Sequence, residues 1–160
     1  MTFEIVLTAL SRIALIALFL PFSALDKVLN FRGAVGQAQE IGIGRTLAAI
    51  MIAVGFLVEV VMSAGILTGI ADRFAALVLA LYCAATAILY KRFWAVPGFG
   101  LTGAGKGREM FFDFWKNFAV AGGFLVLALG PTAADVDAFL ANPFASSHPY
   151  AAAPLPGANP

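Results

Sequence analysis

The chain has 160 residues, of which 61% are hydrophobic and only 12% are charged, and its mean hydropathy is +0.92. Soluble domains carry about 25% charged residues, so this composition excludes an ordinary soluble domain and indicates a membrane protein. The net charge of +1 supplies no basic field, so nucleic acid is not an expected partner. With one cysteine and one histidine, we expect no intramolecular disulfide, no metal site and no covalently bound cofactor.

Four apolar segments are each long enough for a hydrocarbon core that takes about 20 helical residues. They lie at roughly residues 5–25, 46–67, 73–91 and 111–130 and predict an all-α fold, a four-transmembrane-helix bundle over residues 1–131. The first segment lacks the basic start and cleavage site of a signal peptide, so we expect it to remain as a helix. Pro21, near its end, can kink that helix.

Polar residues form one stripe along the first segment. Arg12, Phe19, Ser23 and Asp26 or Lys27 are spaced i, i+7, i+11 and i+14 or i+15, which is one face of a helix. An arginine inside a membrane costs about 2.5 to 3.5 kcal/mol on insertion scales. Arg12 therefore needs a partner inside the bundle or must reach the membrane interface.

Glu59 is the obvious candidate partner. It lies on the second segment between Gly55 and Ser63, on a face of small and polar residues that suits close helix packing. Arg12 and Glu59 fall roughly 11 and 12 Å from the same end of their helices, at about 1.5 Å per residue. Tyr82 on the third segment lies at a similar depth, so we expect an Arg12–Glu59–Tyr82 cluster, either as a structural latch or as a ligand site.

The fourth segment begins with aromatic residues and with polar residues that we expect to point inward. Combined with the end of the first segment, they predict a second polar cluster of Ser23, Asp26, Lys27, Asp113 and Asn117. No catalytic set of side chains emerges from either cluster.

The connecting segments give weaker signals. Residues 30–45 are predicted to be a short interfacial segment. The glycine-rich loop 97–107 resembles dinucleotide and phosphate-loop patterns, but it follows a membrane helix and has Gly107 where the magnesium-binding Ser or Thr belongs, so we interpret it as a flexible loop.

The end of the chain differs in composition from the apolar segments. Thr132 is a candidate cap for a short surface helix over residues 132–142. Residues 143–160 are rich in alanine and proline and predict an extended tail, which is either disordered or held by a partner. We expect this tail to be dispensable for the bundle, and other protein subunits to bind through residues 132–160.

Basic residues are distributed unevenly about the predicted helices. The loops after the first and third helices carry seven, Lys27, Arg32, Arg45, Lys91, Arg92, Lys106 and Arg108, whereas the opposite side carries only Arg73. Basic residues favour the cytoplasmic side, so both termini are predicted to be external, or periplasmic.

Taken together, these features resemble the DoxX family of small four-helix bacterial membrane proteins. The resemblance covers roughly residues 5–130 and rests on four groups of residues: Arg12 with 19–27 (FLPFSALDK) and 31–33 (FRG), Glu59 before the small residues that end at Gly69, 72–76 (DRFAA), and 116–119 (KNFA) with Gly122 and Gly123. It implies a multi-pass protein of the bacterial cytoplasmic (inner) membrane.

The resemblance also implies a function. Members of the family occur as membrane subunits of thiosulfate:quinone oxidoreductases and in other membrane redox complexes, while many have no assigned activity. We therefore expect an anchor or accessory subunit of a quinone-linked or respiratory assembly that lines a quinone or lipid pocket. Two alternatives stay open: a carrier of small molecules or lipids, and a purely structural subunit whose charges specify helix pairing.

Overall fold

The computed structural model describes residues 2–151, which are largely helical and contain no strand. Seven α-helices follow in chain order: α1 (Phe3–Ile16), α2 (Ala24–Leu29), α3 (Phe31–Gln39), α4 (Arg45–Thr68), α5 (Asp72–Tyr90), α6 (Lys106–Leu129) and α7 (Ala133–Ala141). A π-helical segment, Leu18–Ser23, joins α1 to α2, and a 3-10 turn, Phe93–Ala95, follows α5. The predicted all-α fold is confirmed.

Three stretches are long and apolar enough to cross a membrane: Arg45–Thr68, Asp72–Ala95 and Lys106–Leu129. The N-terminal stretch adds a fourth if Phe3–Ile16 and Leu18–Leu29, which meet at a bend of 46°, form one broken span. The described part of the chain thus holds three or four spans where the sequence predicts four. The continuous helix predicted for residues 5–25 is instead broken in its second half.

The break is centred on Pro21. Proline has no backbone N–H to donate and its ring clashes with the carbonyl four residues earlier, so a regular α-helix cannot continue through it. Leu20 leaves the helical region, with φ −101° and ψ 53°, and the N–H of Ala24 bonds to the carbonyl of Phe19, five residues back. This π-helical geometry lets the chain turn while its backbone groups stay hydrogen-bonded.

The core lies between α5 and α6, with α4 and the π-helical segment against them. One face of α5 is lined by small buried residues at helical spacing, Ala76, Ala80, Cys83 and Ala87. Their size lets neighbouring helices approach closely, which is how helices associate inside a membrane. Phe19 and Phe124 fill the centre with ring centroids 5.6 Å apart.

The interfacial segment predicted for residues 30–45 contains the helix α3. Its buried residues Val35 and Ala38 pack on Ala48, near the start of α4. The contact lies at the end of the bundle that carries the loop between α5 and α6.

The predicted surface helix is present as α7. Thr132 caps it: its hydroxyl accepts the N–H of Asp135, whose carboxylate accepts the N–H and hydroxyl of Thr132. These hydrogen bonds, led by the one from the Thr132 hydroxyl, hold the pKa of Asp135 below its usual value. Arg73 ties α7 to the bundle by donating to the carbonyls of Ala128 (2.8 Å) and Asp135 (2.7 Å).

The first part of the predicted tail packs on the bundle rather than extending away from it. The hydroxyl of Tyr150 donates to the carbonyl of Leu67 at 2.6 Å, and Phe144 packs on Phe74 with ring centroids 4.6 Å apart. Residues 144–150 of the predicted extended tail therefore contact the bundle, while the dispensability of the tail stays a prediction. The remainder of the predicted tail, residues 152–160, lies outside the described residues.

Candidate functional site

Two separate groups of buried charges lie in the bundle. The first, the Arg12 cluster, contains Arg12, Asp72 and Ser147 and lies where α4 ends and α5 begins. The second, the Glu59 cluster, contains Ser23, Lys27, Glu59 and Tyr82 and lies deeper along α4. Each cluster pairs one cation with one carboxylate.

In the Arg12 cluster both terminal nitrogens of the guanidinium group have acceptors. Arg12 Nη2 lies 2.7 Å from Asp72 Oδ2, and Arg12 Nη1 donates to the carbonyl of Ile66 at 2.7 Å. The tail completes the cluster because the N–H of Ser147 donates to Asp72 Oδ1 at 2.9 Å. The arginine is 5% exposed and the aspartate fully buried, so the pair is shielded by its own chain.

The predicted Arg12–Glu59 pair is wrong. Arg12 bonds to the carbonyl of Ile66, which lies seven residues beyond Glu59 on α4, or roughly 10 Å along the helix axis. Equal depth would require the helices to begin at one level, but Arg12 lies beside the last turn of α4 and the first residue of α5, so α1 is displaced along the bundle axis relative to both. Its partner, Asp72, is the first residue of α5.

Glu59 instead pairs with Lys27, which the sequence analysis assigned to a different cluster. Lys27 Nζ lies 2.8 and 2.9 Å from the two carboxylate oxygens of Glu59. The hydroxyls of Ser23 and Tyr82 each donate to Glu59 Oε1 at 3.0 Å. The predicted contact between Glu59 and Tyr82 is thus present, and one buried carboxylate, 2% exposed, collects three donors.

The helix break supplies two of these donors. Ser23 ends the π-helical segment and Lys27 follows four residues later, so both side chains leave the same face of α2, and Lys27 Nζ also donates to Ser23 Oγ at 2.7 Å. Because of the kink at Pro21, the side chains of Ser23 and Lys27 point across the bundle and contact Glu59 on α4.

Gly55 makes room for the third donor. A Cβ atom at this position would lie 2.9 Å from the hydroxyl of Tyr82. Because Gly55 precedes Glu59 by one helical turn, its missing side chain lets the phenol lie against α4 and reach the carboxylate. The predicted small and polar face of α4 is accordingly buried, including Ser63, whose hydroxyl has no hydrogen-bond partner among the described residues.

The Glu59 cluster forms the closed end of a pocket of about 880 Å³, called here the Glu59 pocket. Its walls include apolar and weakly polar side chains, among them Leu18, Phe19, Ile52, Thr86 and Leu89. Exposed charges surround the other end, where Asp26, Glu40, Arg92 and Lys106 contribute to the lining. The pocket therefore runs from a buried ion pair to a charged rim.

Four of the five residues of the second predicted cluster line the Glu59 pocket, whereas Asp113 does not. Ser23 and Lys27 belong to Glu59, while Asp26 accepts a 2.6 Å hydrogen bond from Asn30. Asp26 and Asn117 do share the lining of the Glu59 pocket. Asp113 is 42% exposed and binds Lys91, which lines the pocket, and Lys116, each at 3.2 Å.

The Glu59 pocket supplies hydrogen-bonding groups. Within residues 2–151 no group of three or more His, Cys, Asp or Glu side chains could hold a metal ion. The Glu59 cluster supplies an ammonium and two hydroxyls as donors and a carboxylate as acceptor. Such a set suits a ligand whose polar end carries carbonyl or hydroxyl oxygens.

Sequence reasoning missed Asp72 and Ser147 as site residues. Asp72 follows a glycine-containing turn and therefore looked like part of a loop, and Ser147 sits in a segment whose composition gives no helical period. The available signal was that a buried arginine requires a partner, and that Asp72, just before the third predicted helix, was an acidic alternative to Glu59.

Comparison with known proteins gives a family. The Inner membrane protein YphA of Escherichia coli (strain K12) is 33% identical over 133 residues, which is 82% of this chain and 89% of the relative. No solved structure matches. The family model described as DoxX matches residues 7–92, a stretch that contains Arg12, Asp72 and all four members of the Glu59 cluster. The chain therefore belongs to the DoxX family.

Proposed function

We propose that this protein is an accessory subunit of a redox assembly in the bacterial cytoplasmic membrane and that the Glu59 pocket binds a quinone headgroup. The proposal depends on one observation: the pocket ends at a cluster of hydrogen-bonded polar side chains, which are Glu59, Lys27, Ser23 and Tyr82. A quinone accepts hydrogen bonds at two carbonyl oxygens, and the quinol formed by its reduction donates from the same two positions. The cluster offers donors for the first form and a carboxylate acceptor for the second.

The dimensions of the pocket support a ligand of this size. A volume of about 880 Å³ falls within the roughly 300 to 1,000 Å³ common for small-molecule sites. Apolar walls at Leu18, Phe19 and Ile52 would contact the ring and the first isoprenoid units. Resemblance to the DoxX subunits of thiosulfate:quinone oxidoreductases is what favours a quinone over other amphipathic ligands.

The relative supports a proposed location, and the distribution of charge supports a proposed topology. The name of the YphA relative gives an inner-membrane location for that protein, and the same location is proposed for this chain. The excess of basic residues in the loops before α4 and α6 favours external termini. A partner subunit would hold the redox centre, and its docking through residues 132–160 stays a prediction.

Binding of a short-chain ubiquinone or menaquinone analogue to the purified protein in detergent tests the proposal. Tyr82→Phe removes one hydroxyl donor from the pocket, so we expect affinity to fall by about 2- to 10-fold, the value of a typical hydrogen bond. Tyr150→Phe is the matched control, because it removes a phenol hydroxyl that bonds to Leu67 at the other end of α4. It should leave quinone affinity unchanged.

Two measurements, quinone binding and extraction of bound quinone, can refute the proposal. If neither analogue binds the parent protein and no quinone is extracted from the protein purified from its native membrane, the quinone proposal is refuted. Recovery of a bound phospholipid or other small amphiphile in the Glu59 pocket would instead support the carrier alternative.

A further inference from the structure

A second, smaller pocket lies where α3 crosses the beginning of α4. Its volume is about 330 Å³, and it is lined by Phe31, Arg32, Val35, Gln39, Arg45 and Ala49. Val35 is buried and Ala49 half-buried, so they form an apolar floor, whereas Arg32 and Arg45 are exposed at the rim. The lining combines two guanidinium groups with no carboxylate. We call it the arginine pocket.

The two arginines differ from the buried Arg12. Within residues 2–151, no ion pair involves either Arg32 or Arg45, while Arg12 binds Asp72. Guanidinium groups present planar pairs of N–H donors that match phosphate oxygens. Two of them beside one cavity form a site for a phosphate anion.

The start of α4 adds to the attraction. Arg45 is the first residue of this helix, and Gly44 before it offers no side chain to cap the free N–H groups of the first turn. Unbonded N–H groups and the helix dipole both favour an anion there. The partial positive charge at the start of α4 therefore lies next to the two arginines of the arginine pocket.

The surface next to the pocket is apolar and faces the bilayer. From Ala49, the same face of α4 continues through Ala53 and Leu57, which are exposed, the leucine by 58%. Short side chains at 49 and 53 leave a shallow track beside Ile50 and Val54, which are 54% and 53% exposed. An acyl chain can lie in this track while its headgroup stays at the arginines, whereas a free phosphate would leave the track empty.

We propose that the arginine pocket binds the phosphodiester of an anionic phospholipid, with the acyl chains along α4. The inference is independent of the proposed quinone site because none of the lining residues is shared between the two pockets. Basic pockets between membrane helices bind anionic headgroups by the same chemistry.

The test is native mass spectrometry of the purified full chain titrated with dioctanoyl phosphatidylglycerol, and in a second arm with dioctanoyl phosphatidylcholine. The parent should retain phosphatidylglycerol in preference to phosphatidylcholine. The double variant Arg32→Gln with Arg45→Gln should bind phosphatidylglycerol roughly 25-fold more weakly, about fivefold for each arginine. Its thermal unfolding should match that of the parent, since both side chains are exposed.

The matched control is Arg108→Gln with Lys116→Gln, which removes the same charge from exposed positions outside the arginine pocket. It should bind phosphatidylglycerol as the parent does. Equal weakening in both double variants would mean general charge attraction and would overturn the site. Displacement of the lipid by millimolar inorganic phosphate, with no preference for phosphatidylglycerol, would overturn the lipid assignment and leave a free-phosphate site.

Discussion

The ion pair between Lys27 and Glu59 provides the sharpest test of how this protein is built. The charges lie 2.8 Å apart, and at an effective dielectric constant of about 20 they attract each other by roughly 6 kcal/mol. Desolvation offsets much of that attraction, so the net value of the pair is small. Removing one partner is different, because the remaining charge is stranded in a buried site.

We expect Lys27→Met and Glu59→Leu, made singly, each to lower the free energy of unfolding by about 3 to 5 kcal/mol. For a domain of this length, that loss corresponds to a fall in melting temperature on the order of 10 °C. The double variant should melt near the parent temperature because both charges are gone. Lys116→Met is the control, since a pair whose lysine is 73% exposed should contribute at most about 1 kcal/mol.

We would measure thermal unfolding in detergent and quinone binding on the same four variants. Together the two measurements distinguish a ligand site from a structural latch. If the cluster is a ligand site, the double variant recovers stability but does not bind quinone. Recovery of both would show a structural latch and refute the proposed function of the cluster. Single variants that melt like the parent would refute the stabilising role of the ion pair itself.

Three further predictions concern the opposite end of the bundle. Gly69→Ala should destabilise the protein by about 1 to 2 kcal/mol. The cause is that Gly69 has φ +80° and that a Cβ atom there would lie 2.8 Å from Pro149. An unchanged melting temperature would contradict the packing of the tail. The pKa of Asp135 is lowered because Thr132 donates to its carboxylate. The ionised carboxylate therefore stabilises the folded protein at pH values above the ordinary aspartate pKa near 3.8. This stabilisation is lost as the pH falls through the lower pKa of the folded state. The difference in melting temperature between parent and Asp135→Asn should therefore shrink on acidification, and a constant difference would refute the linkage. A cysteine at the exposed Asn142 should react with an impermeant thiol reagent in intact cells whose outer membrane is permeabilised; labelling only after lysis of the inner membrane would reverse the topology.

The helices were predictable because hydropathy and length determine them. The last three spans begin and end within a few residues of the predicted limits, apart from α6, which starts at Lys106 rather than near 111. The first turn of α6 is polar, so hydropathy alone does not indicate that the helix begins at Lys106. Pro21 signalled a kink, but its π-helical form and 46° bend depend on packing that no single-sequence pattern contains.

Partner assignment among the buried charges was less predictable. Two cations and two carboxylates allow two pairings, and Arg12 with Glu59 is the one that equal helix levels favour. The observed pairing requires knowing that α1 is displaced along the bundle axis relative to α4, which depends on the break at Pro21 and on the position of Asp72. Periodicity places residues on a face of one helix but gives no relative height for two helices.

The two ion pairs differ in what surrounds them, and that difference decides which one is the candidate site. Arg12 and Asp72 are covered by Ser147 of the same chain, whose N–H occupies one carboxylate oxygen of the aspartate. A ligand could reach them only by displacing the tail. Lys27 and Glu59 line an open pocket instead, so their hydrogen bonds can be exchanged for bonds to a ligand without unfolding any segment. Both pairs contribute to helix packing, but only the Glu59 cluster combines buried charge with access, the arrangement that marks functional ionisable groups in membranes.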